Sequence, residues 1–309
     1  MKSLIYGYGE TGKSFERYLI KKNLDFEIYE QNIIKYNKKY DLRKFDQILC
    51  SPGIPLKTFN QISKINQNVI TDVDIFFKED DSIKIGITGT NRKSTTAFHL
   101  QQLFENFDAA NLIGNIGNTM LDFINNGKNY SIIELSSFQL NKMIENQLDY
   151  GILLNIDIDH IDYHGNFESY KKDKEKILLA KHSISYETDP YKLFEWITKI
   201  KSEKIELKNL PFRCQKISEN IINDSKSTNF HSLSYALNKA NNLFKNSEYI
   251  LIVCGDPAKE GHRKISIEGP QEIFIFGNHR RELERCIKHS KKTIYNTLED
   301  IFNFIKANK

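Results

Sequence analysis

The run Thr88-Gly89-Thr90-Asn91-Arg92-Lys93-Ser94-Thr95-Thr96 follows a short apolar segment, Ile83 to Ile87, and leads into a helical pattern whose first apolar positions are Phe98 and Leu100. Strand, glycine-bearing turn and helix start, in that order, make an anion cradle, because backbone N–H groups and the positive helix end converge on one point. In such a cradle the Lys93 ammonium sits on the β- and γ-phosphates of a nucleotide and the Ser94 hydroxyl reaches magnesium. Further along, Ile132-Ile133-Glu134 closes another apolar run with a carboxylate, where a neighbouring strand must supply a metal ligand. A polar helix start with a chance Lys and Ser is the plainer reading, and Glu134 tells against it.

A second glycine loop lies at the N-terminus. Leu4-Ile5-Tyr6 is followed by Gly7-Tyr8-Gly9-Glu10-Thr11-Gly12 and a helical pattern, which fits the dinucleotide fingerprint G-x-G-x-x-G. Its glycines permit a tight turn and close approach of amides to a pyrophosphate. Glu30, at the end of the next strand, is placed to accept hydrogen bonds from a ribose. A ligand-free βα turn would look the same. Residues Gly7 to Ser14 also satisfy G-x-x-x-x-G-K-S, but the segment that follows offers no convincing magnesium carboxylate beyond Asp46. Lys13 is therefore expected to be an exposed first-turn residue and the literal match accidental.

Other candidates are weaker. Asp159-His160-Ile161-Asp162-Tyr163-His164 mixes zinc-ligand types but lacks a third well-spaced ligand, so His164 and the remaining histidines are read as surface or packing residues. Cys50, Cys214, Cys254 and Cys286 are far apart and form no CxxC pair, so buried or inert thiols are expected. The net charge is +4, from 44 basic and 40 acidic residues spread along the chain, too even a balance to argue for nucleic acid or a membrane surface. No apolar run approaches the roughly 20 residues of a membrane span. A cytoplasmic protein is expected.

Positioning these loops requires alternating strands and helices. Strands are expected over Ser3 to Tyr6, Phe26 to Tyr29, Gln47 to Cys50, Ile83 to Ile87, Ser131 to Ile133, Gly151 to Asn155, Tyr249 to Val253 and Glu272 to Phe276. Helical spacing joins Phe15, Tyr18, Leu19 and Lys22, and Asp189 to Lys208 reads as helix plus connector. With 309 residues, this is an α/β chain of parallel sheets covered by helices. It falls into three sections, 1–79, 80–208 and 209–309.

Thr88 to Thr96, Gly114-Asn115-Ile116-Gly117, Glu134-Leu135-Ser136-Ser137-Phe138-Gln139, Asn155 to His160, Leu210-Pro211-Phe212-Arg213 and Asn223-Asp224-Ser225-Lys226-Ser227-Thr228-Asn229 occur here in one order. Together they resemble the Mur ligase family, and within it the D-glutamate-adding members. The resemblance covers nearly the whole chain. It implies a three-domain α/β architecture: a Rossmann-like UDP-binding domain (1–79), a central P-loop ATPase domain (80–208) and a C-terminal Rossmann-like domain (209–309). It also implies a reaction, in which ATP phosphorylates the carboxylate of UDP-N-acetylmuramoyl-L-alanine and the amine of D-glutamate attacks the acyl phosphate, in cytoplasmic peptidoglycan precursor synthesis. ATP and Mg2+ are the implied cofactors. The partners are small molecules, with no nucleic acid and no membrane, and a monomer is expected.

By the same resemblance, Gly89, Thr90, Asn91, Arg92, Lys93, Ser94, Thr95 and Thr96 hold ATP, clasped further by Arg213 and Asp224. Ser94 and Glu134 hold one magnesium. His160 assists the second, and Lys174 matches the family's carbamylated lysine, although a plain solvated helix lysine reads equally well among its lysine neighbours. Gly9, Glu10, Thr11, Ser51, Pro52 and Gly53 resemble the loops around the UDP part, with Glu30 beside them. Asn115, Ser136 and Gln139 resemble positions lining the muramoyl-alanine. Lys226 and Thr228 resemble groups at the acyl phosphate and D-glutamate, and Lys259 matches a lysine near the incoming carboxylate. Lys93, His160, Lys174 and Lys226 make up the implied catalytic set.

The chain departs from the family in three places. Arg92 stands where the family has glycine, so its side chain either crowds the phosphates and strains the turn or adds positive charge. The adenine motif Gly-x-His-Asn-x-x-Asn is missing from a shortened stretch between Asp162 and Leu210. A segment like Ser-Pro-Ala-Cys-Ala-Ser, which contacts D-glutamate, is missing near the C-terminus. These departures keep open the alternative of a degenerate nucleotide-binding relative without ligase activity. An NAD-dependent oxidoreductase would rest on Gly7, Gly9, Gly12 and Glu30 and leave Lys93 and Glu134 without a role.

Overall fold

The computed structural model describes residues 1–244 and 249–307. They form two compact units, one of 1–156 with 168–209 and one of 157–167 with 210–309.

In the first unit, β1 (Lys2–Tyr6), β2 (Asp25–Tyr29), β3 (Gln47–Cys50) and β4 (Val69–Ile70) form a parallel sheet in the order β2-β1-β3-β4. It carries α1 (Glu10–Lys21), α2 (Leu56–Ile65) and α3 (Asp72–Glu79). A second sheet has β5 (Ile83–Thr88) at its centre, with β6 (Ala110–Gly114), β7 (Tyr130–Glu134), β8 (Tyr150–Leu153) and β9 (His182–Ser185) in the order β6-β7-β5-β8-β9. All its strands are parallel. Helices α4 (Lys93–Glu105) and α5 (Ser137–Lys142) follow β5 and β7.

Two sheets built this way share one physical consequence. In each, the first strand has its neighbours on opposite sides, β2 and β3 around β1, β7 and β8 around β5. Loops leaving β1 and β5 therefore open into the crevice where the strand order reverses, the place where open α/β sheets take ligands. Both glycine loops sit there because the topology puts them there. One apolar cluster is shared by both sheets: Ile5, Phe15, Leu19 and Leu49 belong to the same buried cluster as Ile113, Met120, Ile133 and Leu153. Burying such side chains stabilises the unit by roughly 1.5–3 kcal/mol each.

In the second unit, α6 (Ile161–His164) lies in the 157–167 segment and is followed by α7 (Phe167–Glu175), most of which returns to the first unit, as does α8 (Pro190–Thr198). From 210 onward come the antiparallel hairpin of β10 (Gln215–Ser218) and β11 (Ile221–Asn223), then α9 (Phe230–Leu243) and β12 (Ile250–Val253). There follow β13 (Ile265–Ser266), β14 (Glu272–Ile275), α10 (Arg280–Cys286), β15 (Ile287–Lys288), β16 (Lys292–Ile294) and α11 (Leu298–Ala307). Strands β12, β14 and β16 make a parallel sheet, and β13 pairs with β15.

All eight strands expected from the sequence are present, with ends that differ by a residue or two. The helix expected from Ser14 begins earlier, at Glu10, so Glu10, Thr11 and Gly12 lie in its first turn. Lys13 is exposed and its ammonium is ion-paired to Glu10 at 2.7 Å. Of the four thiols, Cys50 and Cys286 are buried, Cys214 is half-buried and Cys254 is exposed, the last because it follows the final residue of β12, where the sheet has ended. No helix among the described residues is long and apolar enough to cross a membrane.

Candidate functional site

The phosphate loop leaves β5 at Thr88 and enters α4 at Lys93. Its shape is fixed from the far side of the sheet. Asn155, just beyond β8, accepts from Thr90 N at its carbonyl (3.0 Å) and from Asn91 N at its side-chain oxygen (2.8 Å), and its amide donates back to Asn91 O (3.0 Å). The Thr90 hydroxyl lies 2.9 Å from that of Tyr170. Gly89 lies close against the neighbouring segment, since a Cβ there would be 3.1 Å from Leu154 Cβ. Lys93 donates to Thr90 O at 3.0 Å, which keeps its ammonium at the loop. Arg92 is exposed and adopts φ +67°, the left-handed region that favours glycine.

Lys174, on α7, is not a solvated helix lysine. It is 1% exposed, and its ammonium donates to Gly89 O at 2.8 Å and Thr88 Oγ1 at 3.3 Å, while lying 5.1 Å from the centre of the Tyr170 ring. A buried ammonium held against the phosphate loop is where a lysine can meet the charge of a nucleotide or a metal.

Glu134 ends β7, whose register pairs it with Ile87 of β5. It is 1% exposed. One carboxylate oxygen accepts from Asn115 Nδ2 at 2.9 Å, and the other is buried with no hydrogen-bond partner. A buried carboxylate oxygen without a donor is costly, by about 1–3 kcal/mol or more. A divalent cation removes that cost, so the donor set here fits magnesium. Asn115 is held in turn by its own N–H to Glu134 O at 2.9 Å. Gly114 has φ +99°, and a Cβ there would lie 2.3 Å from Glu134 O, so only glycine lets the end of β6 approach the Glu134 backbone this closely.

Ser136 and Gln139 are brought together, but as a capping box on α5. The Ser136 hydroxyl accepts from Gln139 N at 3.2 Å, and Gln139 Oε1 accepts from Ser136 N at 3.0 Å and from its hydroxyl at 2.9 Å. Much of the hydrogen-bonding capacity of both side chains is thereby committed to the helix end.

At the N-terminal loop, Gly9 caps α1, and Gly12 allows a close packing that a Cβ, 2.2 Å from Gly7 O, would forbid. The Glu30 carboxylate accepts from Tyr8 N at 2.9 Å and Asn32 N at 3.2 Å, so it braces the loop. The Ser51 hydroxyl donates to Gly7 O at 2.8 Å, which sets Ser51-Pro52-Gly53 beside Gly7. Glu10 and Thr11 lie at this helix start, exposed and half-buried.

In the second unit, the hairpin register pairs Gln215 with Asn223, so Cys214 and Asp224 flank the hairpin, with Arg213 next in the chain to Cys214. Asp224 accepts from Cys214 N at 2.8 Å and from the Ser227 hydroxyl. Lys226 and Thr228 follow on the same loop and are exposed, and Lys259 lies half-buried on the turn Pro257–Glu260. His160 caps α6 with φ +51°. Its Nε2 lies 3.8 Å from Asp159 Oδ2, which also accepts from Asn229 Nδ2 at 3.1 Å. Among the described residues, the group of three side chains spaced to hold one metal is Asp256, His279 and Glu282, not the Asp159 to His164 stretch.

Asn155 and Asp159 fall within motifs read from the sequence, which assigns them no role of their own, and the sequence assigns none to Tyr170. Asn155 carries a signal in hindsight, a polar amide directly after an apolar strand, whereas the hydroxyl of Tyr170 could be placed only by the fold.

Residues 87–250 match the family of the Mur ligase middle domain. The chain is 28% identical to a UDP-N-acetylmuramoylalanine–D-glutamate ligase of Francisella tularensis, over 97% of this chain and 86% of that protein. A protein of the same name from Francisella philomiragia is 27% identical, with 97% and 87% covered. Among solved structures, the chain resembles MurF ligase from Thermotoga maritima in complex with ADP, with a TM-score of 0.57 at 12% identity, covering 99% of this chain and 88% of that one. It also resembles UDP-N-acetylmuramate-alanine ligase MurC from the same organism, with a TM-score of 0.55 at 12% identity and 97% and 92% covered. At such identities the two structures speak for the fold.

Proposed function

The chain belongs to the Mur ligase family, and from that premise we propose that it is an ATP-dependent, amide-bond-forming ligase of peptidoglycan precursor synthesis that joins D-glutamate to UDP-N-acetylmuramoyl-L-alanine. The family supports the ligase class, and the relatives named as D-glutamate ligases support the substrate pair. We read sections 1–79, 80–208 and 209–309 as the uridine-nucleotide, ATPase and closing domains, acting as a cytoplasmic monomer.

The observation that carries the reading is the partnerless oxygen of Glu134, at the end of the strand beside the loop that bears Lys93 and Ser94. A bound magnesium would supply positive charge to the β- and γ-phosphates, held by Ser94 and Glu134. Lys93 neutralises the γ-phosphoryl as it passes to the substrate carboxylate, releasing ADP. The D-glutamate amine then attacks the acyl carbon, phosphate leaves, and the nitrogen gives up a proton. These steps ask for charge placement and orientation more than for covalent catalysis. Lys174 holds the loop backbone from beneath, as the buried member of the set. We assign Arg213 and Asp224 to ATP, His160 to the second metal, and Lys226, Thr228 and Lys259 to the acyl phosphate and amino acid.

Purified protein with ATP, magnesium, UDP-N-acetylmuramoyl-L-alanine and D-glutamate is expected to release phosphate in step with amide formation. Lys93→Ala should lower the rate by at least about a hundredfold, as expected for loss of a preorganised charge at the transferring group. Chelating the magnesium should stop turnover. Wild-type turnover no higher than that of Lys93→Ala would leave the second reading, a nucleotide-binding relative without activity, which the strained Arg92 favours.

A further inference from the structure

Lys142 closes α5 and is 3% exposed. A lysine at a helix C-terminus ordinarily reaches water or its own last carbonyls. This one crosses to a segment distant in sequence: its ammonium donates to the carbonyls of Pro52 and, at 2.5 Å, Ile54. The Phe59 ring of α2 lies 5.7 Å from it, within cation–π range.

Burying an ammonium is expensive, and a hydrophobic side chain of similar volume usually serves stability as well or better. The ionisable groups facing it are the Asp72 carboxyl of α3 and the Cys50 thiol of β3. Burial pushes that thiol up to about 12 and that carboxyl up to about 7, so neither is a strong counter-charge. Burial in turn lowers Lys142 to about 8. The side chain is thus retained at a position where packing alone does not call for it, and the carbonyls it grips belong to one loop.

That loop, Ser51 to Ile54, walls the N-terminal glycine turn. Ser51 donates to Gly7 O, and a Cβ on Gly7 would lie 3.0 Å from Ile54 Cδ1. At its other end α5 begins with the capping box that follows Glu134. One short helix therefore joins the segment after the metal-binding carboxylate to the loop beside the first glycine turn, all within the first unit.

We propose that Lys142 is a positioning residue, a latch that holds Ser51 to Ile54 in the shape that receives the uridine diphosphate part of the substrate. This rests on the reading of that loop given under the proposed function. Lys142 does not touch the nucleotide; it fixes the backbone that does.

The test uses the full chain with UDP as probe. Calorimetric titration is expected to show UDP binding weakened about tenfold or more in Lys142→Met, with MgATP binding unchanged. Lys142→Gln keeps two N–H donors and should recover most of the affinity; if the methionine variant does not fold, Lys142→Ala, which also lacks a donor, carries the test in its place. Loss of both nucleotides together would assign Lys142 to general stability and overturn the latch, as would no loss of either. Hydrogen exchange supplies a readout that needs no ligand: amides of 51–54 should exchange faster in the variant and those of 88–96 should not. Unaltered exchange at 51–54 overturns the latch. If the wild type takes up no UDP, the uridine reading falls, and exchange alone decides for or against the latch.

Discussion

Arg92 shows how a single residue can be legible in type and illegible in consequence. Its position before Lys93 was plain in the sequence, but whether it crowded the phosphates or added charge depended on a backbone angle and a side-chain direction. The fold settles both: φ is +67°, the side chain is exposed, and its cation helps to hold the pKa of His99 down, after the larger effect of burial there. An L-residue in the left-handed region costs about 1–2 kcal/mol, a strain that persists where function retains it. Arg92→Gly is therefore expected to raise stability by about 1 kcal/mol in a denaturant titration, while ATP affinity falls several-fold through loss of a cation beside the phosphates. A variant more stable and equally good at binding ATP would make Arg92 a tolerated strain with no part in nucleotide recognition. Lys174 gives the converse case: four lysines crowd 171–176, and only the fold separates the buried one from its solvated neighbours.

At the scale of the element, the strands that could be read from sequence are short runs rich in Ile, Leu, Val, Phe and Tyr, most of them well buried. Strands β3, β5 and β7 are buried along nearly their whole length, so apolar residues dominate them, with polar ones such as Gln47, Lys84 and Ser131 among them. Most of the missed strands are short or lie open to solvent; β6 is the exception, five residues and mostly buried, its apolar run interrupted by Asn111 and closed by Gly114. Strand β9 is mostly exposed, β10 wholly so, and β4, β13 and β15 have two residues each, so no period can declare itself. The start of α5 carries a signal readable in sequence. Ser136 and Gln139 have the spacing of a capping box, and the family resemblance also places them beside the substrate. The cap can be separated from substrate contact by paired substitutions. Ser136→Ala should destabilise the protein by about 1 kcal/mol in urea. Ser136→Thr keeps a capping hydroxyl and should restore that stability. If the threonine variant also restores KM for the nucleotide-sugar substrate, the residue acts through the helix end. If KM stays high while stability returns, Ser136 meets the substrate directly.

Across the whole chain, sequence patterning separates three sections, each with its own parallel sheet, but it does not reveal which sheets share a core. That depends on Ile5 and Phe15 meeting the same cluster as Met120 and Ile133, contacts between residues far apart in the chain. In each compact unit, burial raises one acid to about 7, and its titration reports on that unit. In the first, burial raises Asp72 from 3.8 to about 7, against backbone hydrogen bonds that lower it, and one of its oxygens has no partner. In the second, burial raises Glu260 from 4.5 to about 7, again against a hydrogen bond from Phe230 N, and Asp159 and Asp157 raise it further while Arg263 opposes them. Each folded acid keeps a proton that the unfolded chain has already released. Its contribution to stability is full below the unfolded value and is lost as pH rises through about 7. Asp72→Asn and Glu260→Gln mimic the neutral acids and should not show that loss. Relative to wild type, each variant should gain about 1–3 kcal/mol between about pH 5 and about pH 8. In thermal melts the asparagine should shift the transition of the first unit and the glutamine that of the second. A constant difference across that range would mean that these carboxyls are ionised in the fold. The orphaned oxygen of Asp72 would then need a proton donor that the packing of α3 does not provide.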